Sequence, residues 1–144
     1  MNKSKREKFL LVIFALCCAF IIWMTLVRAP YDHRIFRYEI LWAVRGWIRG
    51  ENWGRQETIY WLENFLLFIP FGLLFPNKES WIRVVIIAAT FSAFIEICQF
   101  IFVLGECELD DVIANTIGAL TGYFLFKTLK KIYKKRRGES SVKR

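Results

Sequence analysis

From Phe9 to Val27 the chain runs through 19 successive residues without a charge. A helix of that length rises about 28 Å, the thickness of the hydrocarbon core of a bilayer. That is one full crossing. Composition agrees: 56% of residues are hydrophobic and the mean hydropathy is +0.32, above an ordinary soluble domain. Lys3, Lys5, Arg6 and Lys8 precede the run in the manner of a signal peptide. The run exceeds the roughly 7–15 residues of a cleavable apolar region, however, and Pro30 follows the one small-residue site at Ala29, so an uncleaved first helix is expected. Three further apolar runs follow at about 59–75, 82–104 and 112–128. The first and last are slightly short, a deficit that tilt and flanking anchors absorb. The fold class expected is an all-α integral membrane protein, a four-transmembrane-helix bundle occupying 1–126 with a basic tail over 127–144.

The net charge of +8 gathers at the chain ends rather than on one face, which argues against a nucleic-acid partner. The 127–144 tail holds nine Lys+Arg and one Glu, and with the basic N-terminus it belongs in the cytoplasm by the positive-inside rule. An even number of crossings satisfies both ends. All ten lysines then lie inside, Lys78 among them in the 76–80 turn, while the outer 105–111 turn holds four acids and no base. The tail should also attract anionic lipid, although topology anchoring suffices to explain it.

One outer segment breaks the charge rule: residues 28–58 contain six arginines. Arg34, Arg37, Arg45 and Arg49 fall within about 120° of a helical wheel, with Phe36, Ile40, Ala43, Val44 and Trp47 opposite. The pattern predicts an extracytoplasmic amphipathic helix over about 34–49, lying in the membrane interface. Its arginines either contact a lipid or wall-precursor phosphate or serve as a plain anchoring face. Gly46, Gly50, Asn52 and Gly54 would break that helix before the second crossing. The cysteines Cys17, Cys18, Cys98 and Cys107 have neither zinc nor disulfide-framework spacing. They read as small buried hydrophobes, with a Cys98–Cys107 bridge left open.

Polar groups inside the spans cost about 2.5–3.5 kcal/mol each at mid-bilayer when charged, so their placement is informative. Glu63 and Asn64 enter on the second helix, Glu96 and Gln99 leave on the third, and Asp110, Asp111 and Asn115 open the fourth; by helical rise all fall in the outer leaflet. Ser92, Glu96 and Gln99 form one stripe, as do Asp111, Asn115, Gly118 and Gly122. Gly118 and Gly122 make a GxxxG element for close helix contact, Pro70, which should kink the second helix, and Gly72 are further helix-packing positions, and the first helix, with Thr25 and two cysteines, packs as a peripheral anchor. Gln99 and Asn115 can be read as interhelical bonds and Glu63 as a solvated helix end. Glu96, two turns deep, calls for a compensating cation or proton.

Three blocks now stand together: Asn64-Phe-Leu-Leu-Phe-Ile-Pro70-Phe-Gly72, Glu96-Ile-Cys-Gln99, and Gly105-Glu-Cys-Glu108-Leu-Asp110-Asp111-Val-Ile-Ala-Asn115-Thr-Ile-Gly118. In this order, over roughly 59–126, they resemble the signature of the VanZ-like family. The resemblance implies a small bacterial plasma-membrane protein of the cell envelope, multi-pass with both termini cytoplasmic, and a link to antibiotic resistance against the lipid-tailed glycopeptide teicoplanin. The pocket residues would be Glu63, Asn64, Gln99, Glu108 and Asn115, with Glu96, Asp110 and Asp111 as candidates for general acid and base. Glu96 and Asp111 are also the pair that would hold a divalent cation, Mg²⁺ typically taking one or two carboxylates plus substrate phosphates. The function expected is to act on or bind an outer-leaflet lipid, a lipid-linked wall precursor or a lipoglycopeptide. The alternatives are a non-catalytic accessory or shielding subunit and, ranked last, a cation-coupled transporter. With Arg83 the one Lys, Arg or His inside a span, His-dependent phosphatase and Ser-His-Asp chemistry are not expected.

Overall fold

The computed structural model describes residues 3–27, 32–76 and 80–142, with side chains over 4–27, 32–76 and 80–136. Ala29, Pro30, Lys78 and the side chains of the tail beyond 136 lie outside the described residues. The elements are α1 (Lys3–Leu26), β1 (Phe36–Arg37), α2 (Trp42–Ile48), α3 (Gly54–Leu74), α4 (Trp81–Phe102), β2 (Cys107–Glu108) and α5 (Leu109–Val142). The protein is all-α apart from one parallel ladder, in which Phe36 pairs with Cys107 and Arg37 with Glu108.

Among the described residues three helices are long and apolar enough to cross a membrane: Ser4–Leu26, Trp81–Phe102 and Leu109–Arg136. Helix α3 is not one of the three, because Glu57, Glu63 and Asn64 weigh down its first half. It nevertheless forms the spine of the bundle. A Cβ on Gly118 would overlap the Phe65 carbonyl, one on Gly122 the Ile69 carbonyl, and one on Gly72 the Ala119 carbonyl. Backbone therefore touches backbone, and because the contacts advance together along both helices, α3 and α5 run parallel. Helices α1 and α4 run the other way: Phe14 packs on Phe71 at 5.0 Å between ring centroids, and Gln99 reaches the carbonyl of Thr25 at 3.2 Å. Ile21, Phe68, Phe71, Ile95, Ala119 and Tyr123 fill the seam between the four. Outward positions such as Val12, Leu16, Ile86, Phe94 and Ile97 are exposed, the arrangement a lipid-facing surface requires. The chain continues helically through Pro70, and α3 stops at Phe75, which the following Pro76 holds extended. All four cysteines are free, so the bridge left open above is not formed.

The expected helix over 34–49 is replaced by two different structures. Residues 34–41 are non-helical and include β1, and only Trp42–Ile48 form a helix. Two forces decide this. The Cys107 N–H donates to the Ile35 carbonyl at 2.9 Å, giving the segment a strand partner, and Leu41 adopts φ 53°, a left-handed conformation that a continuous helix excludes. Gly46 does not break α2 either; it sits buried inside it, against the ring of Trp53. Gly50, at φ +77°, ends the turn after it.

Candidate functional site

The acid- and amide-bearing ends of α3, α4 and α5 meet the C-terminal end of α1 at one end of the bundle, opposite the basic ends of α1 and α5. Helix α4 terminates at Val103, whose φ of 56° is strained for a β-branched residue; the Leu104 N–H bonds back to the Gln99 carbonyl and the chain turns sharply into the acidic 105–111 segment. Glu96 holds this turn from beneath, its Oε2 accepting the Glu108 N–H at 2.9 Å. The 34–42 strap holds it from above. The Leu41 N–H donates to Asp110 Oδ1 at 2.8 Å, and the Trp42 indole N–H donates to Glu108 Oε2 at 3.0 Å. Arg37 donates through both Nε and an Nη to Glu106 and lies 3.5 Å from Glu108, with its guanidinium 4.0 Å above the Trp42 ring. Trp42 stacks in turn on Trp53 at 4.9 Å. Burial pushes the Glu108 carboxyl up to about 7; Asp111 and Glu106 add repulsion, while the Trp42 N–H and Arg37 pull the other way. Burial, with Glu96 next, raises the Cys107 thiol to about 11, which keeps it protonated and a poor nucleophile at neutral pH.

Beneath the strap lies a cavity of about 540 Å³, the size of a small-molecule site. One wall is a helical stripe of α3: Glu57, Tyr60, Trp61, Asn64 and Leu67, with Glu63 beside it. The facing walls come from Met24 of α1, Trp42 and Ala43 of α2, and Gln99 of α4. Glu106, Glu108, Asp110 and Asp111 complete it. Six carboxyls thus line the cavity, and among the described residues no Lys, Arg or His does. Three buried atoms on residues of this wall have no hydrogen-bond partner among the described residues: Trp61 Nε1, Gln99 Oε1 and Asp110 Oδ2. Gln99 and Asp110 are 4% and 1% exposed, so bulk water does not satisfy them.

A family model described as VanZ/LLP1 matches residues 9–130, a span that contains every residue lining the cavity. The chain belongs to the VanZ/LLP1 family. Over 72 residues it is 38% identical to Protein VanZ of Enterococcus faecium, a match covering 45% of this chain and 42% of that relative, less than half the length of either. No solved structure matches the chain.

Within this VanZ/LLP1 fold the sequence-derived site residues separate into two groups. Glu63, Asn64, Gln99, Glu108, Asp110 and Asp111 line the cavity. Glu96 and Asn115 are buried but absent from its lining, Glu96 beneath the Glu108 N–H and Asn115 donating to Ser92 Oγ at 2.8 Å. The pair considered for a shared cation, Glu96 and Asp111, is therefore split, only Asp111 facing the cavity. Among the described residues no group of three or more His, Cys, Asp or Glu is placed to hold a metal ion. The four arginines do not share a face. Arg34 caps the end of α4 through the Phe100 and Ile101 carbonyls, Arg37 clamps the acidic turn, Arg45 lies 3.9 Å from Glu39, and Arg49 is exposed on the turn after α2. Helix α1 is more than an anchor, since Met24 lines the cavity and the Thr25 carbonyl receives Gln99. Sequence reasoning missed Glu57, Tyr60 and Trp61, although their spacing ahead of Asn64 was legible as a helical stripe. It also missed Trp42 and Glu106 as site residues, and their roles depend on the strap, for which no periodic signal exists.

Proposed function

We propose that this VanZ/LLP1 protein crosses the bacterial plasma membrane four times, keeps both termini in the cytoplasm, and uses the cavity to bind the polar head of an outer-leaflet amphiphile. The amphiphile is a membrane lipid, a lipid-linked wall precursor or a lipoglycopeptide of the teicoplanin type, and holding it changes how such an antibiotic reaches its target. Helices α1 and α4 run in the same direction, so a returning segment must join them, and α3, with 21 residues and a rise of about 31 Å, is long enough to be that crossing. The basic chain ends favour the cytoplasm and the acidic turn the outside.

The observation that carries the reading is the set of unpartnered polar atoms buried within the residues that form the cavity wall. Leaving such a group unmade costs about 1–3 kcal/mol each, a cost that a ligand with matching donors and acceptors recovers. The apolar outer surface of the bundle gives the ligand's tail a place to lie while its head enters the cavity. Glu108, titrating near neutrality, makes a proton-transfer step on a bound head chemically accessible, and a purely binding role uses the same contacts.

The test is native mass spectrometry of the full chain released from its own membranes. The wild type should retain one amphiphile that Gln99→Leu and Trp61→Phe each release more readily, with the helical circular dichroism of both variants unchanged. Retention that is equal in all three proteins overturns the cavity as the binding site.

A further inference from the structure

The unpartnered atoms also bear on which class of head the cavity takes, an inference that rests on the binding role proposed above. Two of the three are acceptors, Gln99 Oε1 and Asp110 Oδ2, and one is a donor, the Trp61 N–H. Five further carboxyls line the cavity with Asp110, and Arg37, a cation of the strap, is already engaged by Glu106 and Glu108 and does not line it. Asp110 is 1% exposed with Oδ1 occupied by the Leu41 N–H, so its remaining oxygen is fixed in direction rather than free to rotate toward water. An anionic head would meet repulsion on every side. A hydroxyl head would satisfy hydrogen bonds but leave the carboxylate charge uncompensated. A quaternary ammonium offers charge but no N–H to the two acceptors. A primary ammonium supplies both: one positive charge and three donors.

We infer that the cavity recognises a protonated primary amine, seated between Asp110 Oδ2 and Gln99 Oε1, with the Trp61 N–H donating to an oxygen carried on the same head. The Tyr60 and Trp42 rings add aromatic surface on which a cation is favourably placed. The shared chemistry, an alkylammonium beside an oxygen acceptor, is found in aminophospholipids and in free amino alcohols.

Trp42 and Trp61 make the site self-reporting. The full chain is placed in phosphatidylglycerol nanodiscs and its tryptophan fluorescence is titrated with short-chain phosphatidylethanolamine, short-chain phosphatidylcholine, ethanolamine and Mg²⁺. Phosphatidylethanolamine should give a saturable change, phosphatidylcholine none at the same concentration, and Mg²⁺ should not displace the amine. Asp110→Asn keeps an oxygen for the Leu41 N–H but turns the other acceptor into a donor. It should weaken phosphatidylethanolamine binding at least about tenfold, the size of one charge-assisted hydrogen bond. Gln99→Glu, which keeps an acceptor at this position but gives up the Nε2 donor to the Thr25 carbonyl, should weaken it less than Asp110→Asn does. Equal binding of phosphatidylcholine, displacement by Mg²⁺, or an unchanged Asp110→Asn overturns the amine assignment while leaving the binding role intact. Ethanolamine binding as tightly as the lipid supports the amine and overturns the amphiphile. No saturable change with any probe overturns both.

Discussion

The Glu108 carboxyl accepts the Trp42 indole N–H and lies 3.5 Å from Arg37, yet burial keeps it up at about 7. In the unfolded chain its ordinary value is 4.5, so between about 4.5 and about 7 the folded protein holds a proton that the unfolded chain has released. The stabilisation is complete below that window, is lost as pH rises through it, and is constant above it. The thermal midpoint of the wild type in nanodiscs should therefore fall across the window by more than that of Glu108→Gln, which cannot titrate. Parallel pH profiles for the two proteins would contradict the assignment. The same resolution shows why sequence reasoning ranked the carboxyls imperfectly. Glu96 is buried, as its position two turns into α4 implied, and Asp110 is buried as well, although it stands at the first turn of α5. Their hydrogen bonds to the Glu108 and Leu41 amides, however, give Glu96 the task of holding the turn and leave Asp110 with a second oxygen to spare.

Between elements, the α3–α5 seam is the contact on which the site depends, because both helices deliver their first turns to the cavity. Gly122 lies against the Ile69 carbonyl, where an added Cβ meets rigid backbone rather than a side chain that can move aside. Gly122→Ala should therefore destabilise the protein by about 1–3 kcal/mol, as overpacking does. Gly50→Ala has open space around it and only the strain of its positive φ to bear, about 1–2 kcal/mol at most. Fluorescence-monitored thermal unfolding should rank Gly122→Ala below Gly50→Ala and wild type, and should show Gly122→Ala losing ligand-induced stabilisation as the helices part. A Gly122→Ala protein as stable as wild type would mean that the two backbones are not in contact. The GxxxG spacing announced this seam in the sequence, while the parallel direction of the two helices and the part played by Gly72 did not follow from it.

For the molecule as a whole, the distribution of charge predicts where each end of the bundle resides. In a chain whose four native cysteines are replaced by alanine, Asn52→Cys lies at the acidic end and Lys131→Cys at the basic end, both exposed. A membrane-impermeant thiol reagent applied to intact cells should label Asn52→Cys directly and Lys131→Cys only after permeabilisation. Labelling of both positions, or of Lys131→Cys alone, would overturn the four-crossing arrangement with its cavity facing outward. The two ends differ in kind: one concentrates carboxyls around a cavity, the other carries Lys127, Lys130, Lys131 and Lys134 along an exposed helix face, with Lys127 resting on Tyr123. That polarity is the basis of the proposed outward orientation of the cavity.

What the sequence determined by itself were the properties that repeat along a single helix: the apolar runs, the level at which each acid and amide would sit, the close-contact glycines, and the motif blocks of the VanZ/LLP1 family. Such signals are short-range, since a side chain's depth and face follow from rise and rotation per residue. The tertiary structure decided the strap and, through it, the shape of the cavity. Leu41 and Asp110 are 69 residues apart and Arg37 and Glu106 likewise, so the conformation of residues 34–42 is set by partners that no local pattern contains. Arg34 and Arg37, half of an arginine spacing that would mark a helix face in isolation, instead lie on extended chain, because a parallel strand partner and three acceptors at the acidic turn offered residues 34–42 a better-satisfied arrangement than the interface did.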